Sequence, residues 1–160
     1  LDVLLALPKA TYAIGDRIHL LHHRNHLACD LGDHATATTV AQTALRLAQA
    51  LGDHVLIALS LHEVALAAYS GDDLRNAQAY WARAYDTRSL VPQKVAHVSM
   101  NLGLIAEQQG RFEEALHYFG QALHYYQVQH DLLHVAKVQG NIGNVQVKQG
   151  AYEQAIATFE

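Results

Sequence analysis

"NLGLIAEQQGRFEEALHYFGQAL" (Asn101–Leu123) and "NIGNVQVKQGAYEQAIATFE" (Asn141–Glu160) are two copies of one pattern set 40 residues apart. Apolar residues recur in each at steps of three and four, the period of a helix. The pattern breaks at Gly110 and Gly150, and glycine is the residue that ends a helix by turning left-handed. The predicted unit is therefore helix, glycine turn, helix. After the turn an alanine is followed four residues later by an aromatic and three later by a second alanine: Ala115, Phe119 and Ala122, then Ala155 and Phe159. Working outward, "SGDDLRNAQAYWARA" from Ser70 supplies Ala77, Trp81 and Ala84. "LGDHATATTVAQTAL" from Leu31 supplies Ala37, Ala41 and Ala44, with Ala41 small where the other copies are aromatic. From Ala37 the steps are 40, 38 and 40 residues. Ahead of the second turn "HEVALAAYSG" (His62–Gly71) is a looser copy of the first helix, with Val64 and Ala65 in place of Leu102 and Gly103.

Small residues at fixed places let two helix axes approach, and the aromatic fills the neighbouring groove. Gly103 and Ala106 are expected to face Ala115 and Ala122. Turns are predicted at Gly32, Gly52, Gly71, Gly110 and Gly150. Asp33, Asp53 and Asp72 are predicted helix caps, and Pro92 a first-turn residue. One hairpin cannot bury its apolar face but stacked copies can, so the pattern predicts an all-α solenoid of seven or eight helices.

Composition agrees with a folded repeat array. Hydrophobic residues make up 51% of the 160 and charged residues 16%, which excludes a disordered polymer. A formal net charge of -4 argues against a nucleic-acid surface, although twelve histidines can reverse the sign below about pH 6. The single cysteine, Cys29, rules out an internal disulfide framework. The richest apolar stretch, Val55–Ser70, is interrupted by His62 and Glu63, so no membrane span is expected. "LDVLLALPKA" has no basic leader and is not read as a signal peptide; a cytoplasmic location is expected. Both ends read as cut from a longer chain.

The set Leu102, Gly103, Ala106, Gly110, Phe112, Ala115, Phe119 and Ala122 resembles the tetratricopeptide repeat. The resemblance implies a right-handed superhelical solenoid of antiparallel hairpins, about 3.5–4 copies in one domain, with repeats near 9–51, 54–90, 92–130 and 132–160. The first helix of the first copy departs from the pattern: Arg24 and Asn25 stand where leucine and glycine are expected. That helix is read as starting as early as Pro8 or kinking near Gly15. The spacing near 40, with "ALGDHVLIAL" between copies, resembles a subclass found in arms of bacterial regulators such as MalT-like activators and signalling ATPases.

In this family the first helices line the concave surface. Carrying its inner positions across implies partner-binding residues His19, His22, His26 and Asp30, then His62 and Tyr69, then His97, Met100, Asn101 and Glu107, then Lys137, Asn141 and Asn144. Cys29, Leu59, Leu66, Ser70, Leu104, Gln108, Gly140, Val147 and Lys148 complete the rows. Helix geometry places His19, His22, His23 and His26 within an arc of roughly 100°, with Leu20, Leu27, Ala28 and Leu31 opposite. The apolar side is expected to pack and the histidine stripe to face outward or into the groove. Three readings of the stripe are open, in this order: a solvated helix face, a partner contact, and a metal site. His19/His23 and His22/His26 stand four apart, a spacing that brings two imidazoles to one ion, and Cys29 is a candidate further ligand. No HExxH or CxxC motif accompanies them.

No phosphate loop and no nucleophile–base arrangement is found, so a non-enzymatic protein- or peptide-binding module without cofactor is expected. The carboxylate clamp of chaperone-binding relatives is matched at Asn101 and Lys137, while His62 and Leu66 replace its lysine and asparagine, so chaperone tails are not expected. The alternative is an effector-sensing arm of a larger signalling ATPase or transcription regulator. Incomplete end copies also allow self-association.

Overall fold

In the computed structural model, residues 13–87 and 90–159 are described; the helix start considered at Pro8 lies outside them. They form eight helices and no strand: α1 Ile14–Asp30, α2 His34–Leu51, α3 His54–Ser70, α4 Leu74–Asp86, α5 Pro92–Gln108, α6 Phe112–Val128, α7 Leu132–Lys148 and α8 Tyr152–Phe159. They divide into two compact units, Leu1–Leu90 and Val91–Glu160, each holding two antiparallel hairpins.

The turns follow one recipe, in which a residue at positive φ follows the end of a helix, within a hairpin or between two. Gly32, Gly52, Gly110 and Gly150 occupy it at φ 70–77°. The turn expected at Gly71 is shifted by one: Gly71 has φ -88° and Asp72 is the left-handed residue, at 61°. A further turn with no glycine uses His130 at 55°. Because Asp72 is spent on the turn, the helix cap falls to Asp73, which accepts from the Asn76 N–H. Asp33, Asp53 and Asp131 cap α2, α3 and α7 in the same way. Pro92 begins α5 as expected.

Counting from the left-handed residue aligns the four hairpins and exposes a size rule. Seven residues before it stand Asn25, Ala65, Gly103 and Gly143; nine after it stand Ala41, Trp81, Phe119 and Phe159. In the last three hairpins a small residue at this place on the first helix is matched by an aromatic on the second. A Cβ on Gly103 would lie 2.6 Å from Phe119 Cε1. In the first hairpin the order is inverted, with Asn25 on the first helix and Ala41 on the second, both fully buried. The departure at Asn25 is therefore an exchange of bulk between partners rather than a loss of the fold.

The core of the first unit joins Ile18, Leu21, Val40, Ala44, Ala48 and Leu56. That of the second joins Ala96, Ala106, Ala115, Phe119, Ala122, Tyr126, Val138 and Val145. Met100 and Leu104, two of the expected inner-row residues, are half-buried against this second core.

Candidate functional site

The first unit places α1 against α3, and polar side chains make the contact. Asn25 Nδ2 donates to the Glu63 carbonyl oxygen at 3.0 Å and to Glu63 Oε2 at 2.9 Å. His26 Nε2 meets Glu63 Oε1 at 3.2 Å. His22 Nε2 shares a hydrogen bond of 2.9 Å with Ser60 Oγ. One turn on, Ser70 Oγ donates to Cys29 Sγ at 3.4 Å. Burial pushes the Glu63 carboxyl up, but the hydrogen bond and charge of His26, with the Asn25 amide, outweigh it and hold the pKa at about 2. A buried carboxylate is costly unless its oxygens are satisfied, and here both are.

This arrangement corrects the expected face of α1. The packed side is Ile18, Leu21, His22, Asn25 and Ala28. Leu27 and Leu31, expected to pack, are 52% and 73% exposed. His22, expected on the open stripe, is only 8% exposed because α3 lies over it and offers Ser60. His62 is likewise withdrawn: it is buried, and its Nδ1 accepts the Trp81 indole N–H at 3.1 Å. That bond gives Trp81, the largest fully buried side chain, its polar partner. His19, His23, His26 and Asp30 remain on the exposed surface of α1. Beside them α3 presents the half-buried Leu59, Leu66 and Tyr69.

The metal reading of His19, His22, His23, His26 and Cys29 is not met by the geometry. Among the described residues no three histidine, cysteine or carboxylate side chains converge to hold an ion. Glu63 and Ser60 engage His26 and His22 instead.

In the second unit, His97, Asn101 and Asn141 are half-buried, and Lys137 and Asn144 exposed. Glu107 accepts from Lys148 Nζ at 2.9 Å, tying α5 to α7. The His97 ring lies 5.7 Å from that of His134, which stacks on Tyr126 at 4.6 Å. Burial, then Lys94 and His134, push the His97 pKa down.

Sequence reasoning missed Asn25, Ser60, Glu63 and His134. The signal for Glu63 was present: a carboxylate in a strongly apolar helix demands a partner, and Asn25, on the first helix of the preceding hairpin, stands where the repeat expects glycine.

Among the described residues no helix is long and apolar enough to cross a membrane. No curated protein matches the sequence significantly. Solved structures share the fold. BtubC (BKLC) from P. vanneervenii superposes with a TM-score of 0.78 at 22% identity over 91% of this chain and 60% of its own. Aspartyl phosphate phosphatase F from Bacillus subtilis gives 0.79 at 14% over 92% and 39%. A Rap protein complexed with competence and sporulation factor gives 0.76 at 16% over 89% and 41%. The chain thus spans less than two thirds of each. Two tetratricopeptide-repeat profiles match the sequence, at residues 62–124 and 94–160, and so jointly cover more than half of it. With four hairpins built on one turn-and-alanine rule, three of them with the aromatic as well, the chain belongs to the tetratricopeptide-repeat family.

Proposed function

We propose that the chain is a protein-interaction scaffold that binds an extended or helical segment of another protein on the exposed face of its first helices. The observation that carries this reading is the separation of roles on α1 and α3. Asn25, His22 and Glu63 lie beneath and join the hairpins, while His19, His26 and Asp30 beside Leu59, Leu66 and Tyr69 form a mixed polar and apolar surface above them. Such a surface suits a peptide whose backbone and side chains need hydrogen bonds and some apolar cover. In the second unit, taken by itself, Lys137, Asn141 and Asn144 on α7 and Asn101 on α5 offer hydrogen-bonding groups of the same class. A Rap protein of this fold has been crystallised as a complex with competence and sporulation factor, which supports a role in holding a partner. The effector-sensing arm of a larger regulator gains no support from the described residues.

The test is selection of binders from a random twelve-residue peptide library on the purified chain, then titration of the best binder by fluorescence anisotropy. The expected result is at least a tenfold loss of affinity for His19→Ala/Asp30→Ala or for Lys137→Ala/Asn144→Ala, with melting unchanged. Unaltered affinity in both pairs would refute use of this face.

A further inference from the structure

The first unit has a second concavity, away from the face just described. It is a cleft of about 260 Å³ between the second helices α2 and α4, floored by α3. Val64, Ala67 and Ala68 form the floor, His34, Thr38 and Gln42 one wall, and Asp73, Asn76 and Tyr80 the other. Two small residues line the space. Gly71 stands where the equivalent turns carry Leu31, Gln109, Gln129 and Gln149, and Ala68, like Ala28 and Ala106, is small where the last copy carries Gln146. In the second unit those glutamines bridge the same place: Gln149 Nε2 donates to Glu113 Oε1 at 3.3 Å, and Thr158 Oγ1 to Gln146 Oε1 at 2.8 Å. The first unit lacks both bridges and keeps the cleft open.

We propose that this cleft takes an arginine side chain of a partner protein, as an anchoring point distinct from the first-helix face. Asp73 is the one carboxylate lining it, and Asp33 and Asp72 adjoin the same end in sequence. Asp73 already accepts from the Asn76 backbone N–H at 3.1 Å and side-chain Nδ2 at 2.6 Å. Each carboxylate oxygen retains a second lone pair for an incoming donor. Gln42, Asn76 and Thr38 add neutral acceptors along the walls, enough for the five N–H donors of a guanidinium but more than the three of an ammonium. The apolar floor suits the aliphatic stem of a long cationic side chain. Arg83 lies over the Tyr80 ring at 5.3 Å, about three helical turns from Asp73; Arg75 is the cation whose charge acts on Asp73, and an incoming guanidinium would bind beside it through the carboxylate's remaining lone pairs.

The test titrates the isotope-labelled chain with Ac-Gly-Arg-Gly-NH2 and its lysine and citrulline counterparts, followed by amide chemical shifts. The arginine peptide should move His34, Thr38, Gly71 and Asn76, and the uncharged citrulline peptide should bind at least tenfold more weakly. Asp73→Asn should cost the arginine peptide at least tenfold while preserving the fold, since asparagine caps a helix as well as aspartate. Gly71→Gln should fill the cleft with a side chain where the other unit carries Gln149, and abolish binding. A Cβ there makes only ordinary contacts of 3.6–3.8 Å, so this variant should fold. Equal binding of citrulline, shifts confined to other residues, or wild-type affinity in Gly71→Gln would overturn the proposal. His19→Ala/Asp30→Ala serves as the control that separates the two faces: it should leave arginine-peptide binding unchanged.

Discussion

Gly103→Ala and Gly120→Ala make the same chemical change on two helices and should move stability in opposite directions. In an open helix, alanine is favoured over glycine by about 1 kcal/mol because less backbone freedom is lost on folding. At Gly120 on α6 a new Cβ meets nothing within 4 Å, so that gain should be realised nearly whole. At Gly103 the Cβ would stand 2.6, 2.7 and 3.0 Å from Cε1, Cδ1 and Cζ of Phe119. Carbon atoms rest about 3.5–4.0 Å apart, so the ring must move by roughly 1 Å. Phe119 is fully buried between Ala115 and Ala122 and has no space to retreat into. Overpacking of this kind costs about 1–3 kcal/mol, and after subtracting the propensity gain a net destabilisation of about 1–2 kcal/mol remains. Urea unfolding followed by circular dichroism gives both midpoints, with the slope m checked for constancy. If Gly103→Ala matches or exceeds wild-type stability while Gly120→Ala is stabilising, the close approach of α5 and α6 is not what requires glycine.

Three further outcomes follow from the same geometry. Ala115→Leu or Ala122→Leu should destabilise the chain by about 1–3 kcal/mol in thermal unfolding, because both positions are fully buried between helices. Glu63 titrates at about 2 in the fold against 4.5 ordinarily; its depressed pKa means that the stability it contributes is complete above about 4.5 and is lost as pH falls towards 2. Stability measured across that window should therefore decline in wild type and decline less in Glu63→Gln, and identical slopes would mean the carboxylate is not held ionised. His130→Gly should raise the melting temperature, because His130 sits at φ 55°, a left-handed backbone that costs a non-glycine residue about 1–2 kcal/mol; part of the gain is cancelled by glycine's freedom in the unfolded chain.

The hairpins were legible because their information is local. A glycine at a fixed step, two alanines and an aromatic each act within one or two helices, so spacing alone reveals them. The turn at His130 escaped because its conformation comes from its place between two helices, and histidine does not advertise a positive φ. The turn at Gly71 was misplaced by one because glycine outranks aspartate as a left-handed residue, yet Asp72 holds the position. The face of α1 was harder to read. Periodicity counts His22 and Asn25 as polar and Leu27 and Leu31 as apolar, and it cannot see that α3 brings Ser60 and Glu63 across to satisfy the former. Contacts 37 and 38 residues apart in sequence decide that face, and the periodicity of one helix does not register them. The cleft between α2 and α4 also went unread, since it depends on the side chain that Gly71 lacks.

The double grip of Asn25 on Glu63, through both the backbone carbonyl and the carboxylate, has a consequence for how the array assembles. Apolar hairpins of similar shape are nearly interchangeable neighbours, and a growing repeat chain risks stacking the wrong pair or slipping by a turn. A hairpin carrying Asn25 can close without loss only against one that offers an acceptor at both points. Any other neighbour would strand a buried amide, at about 1–3 kcal/mol. Asn25 and Glu63 thus serve as a lock and its ward between the first two hairpins, rejecting mismatched mates during folding where greasy surfaces alone would accept them.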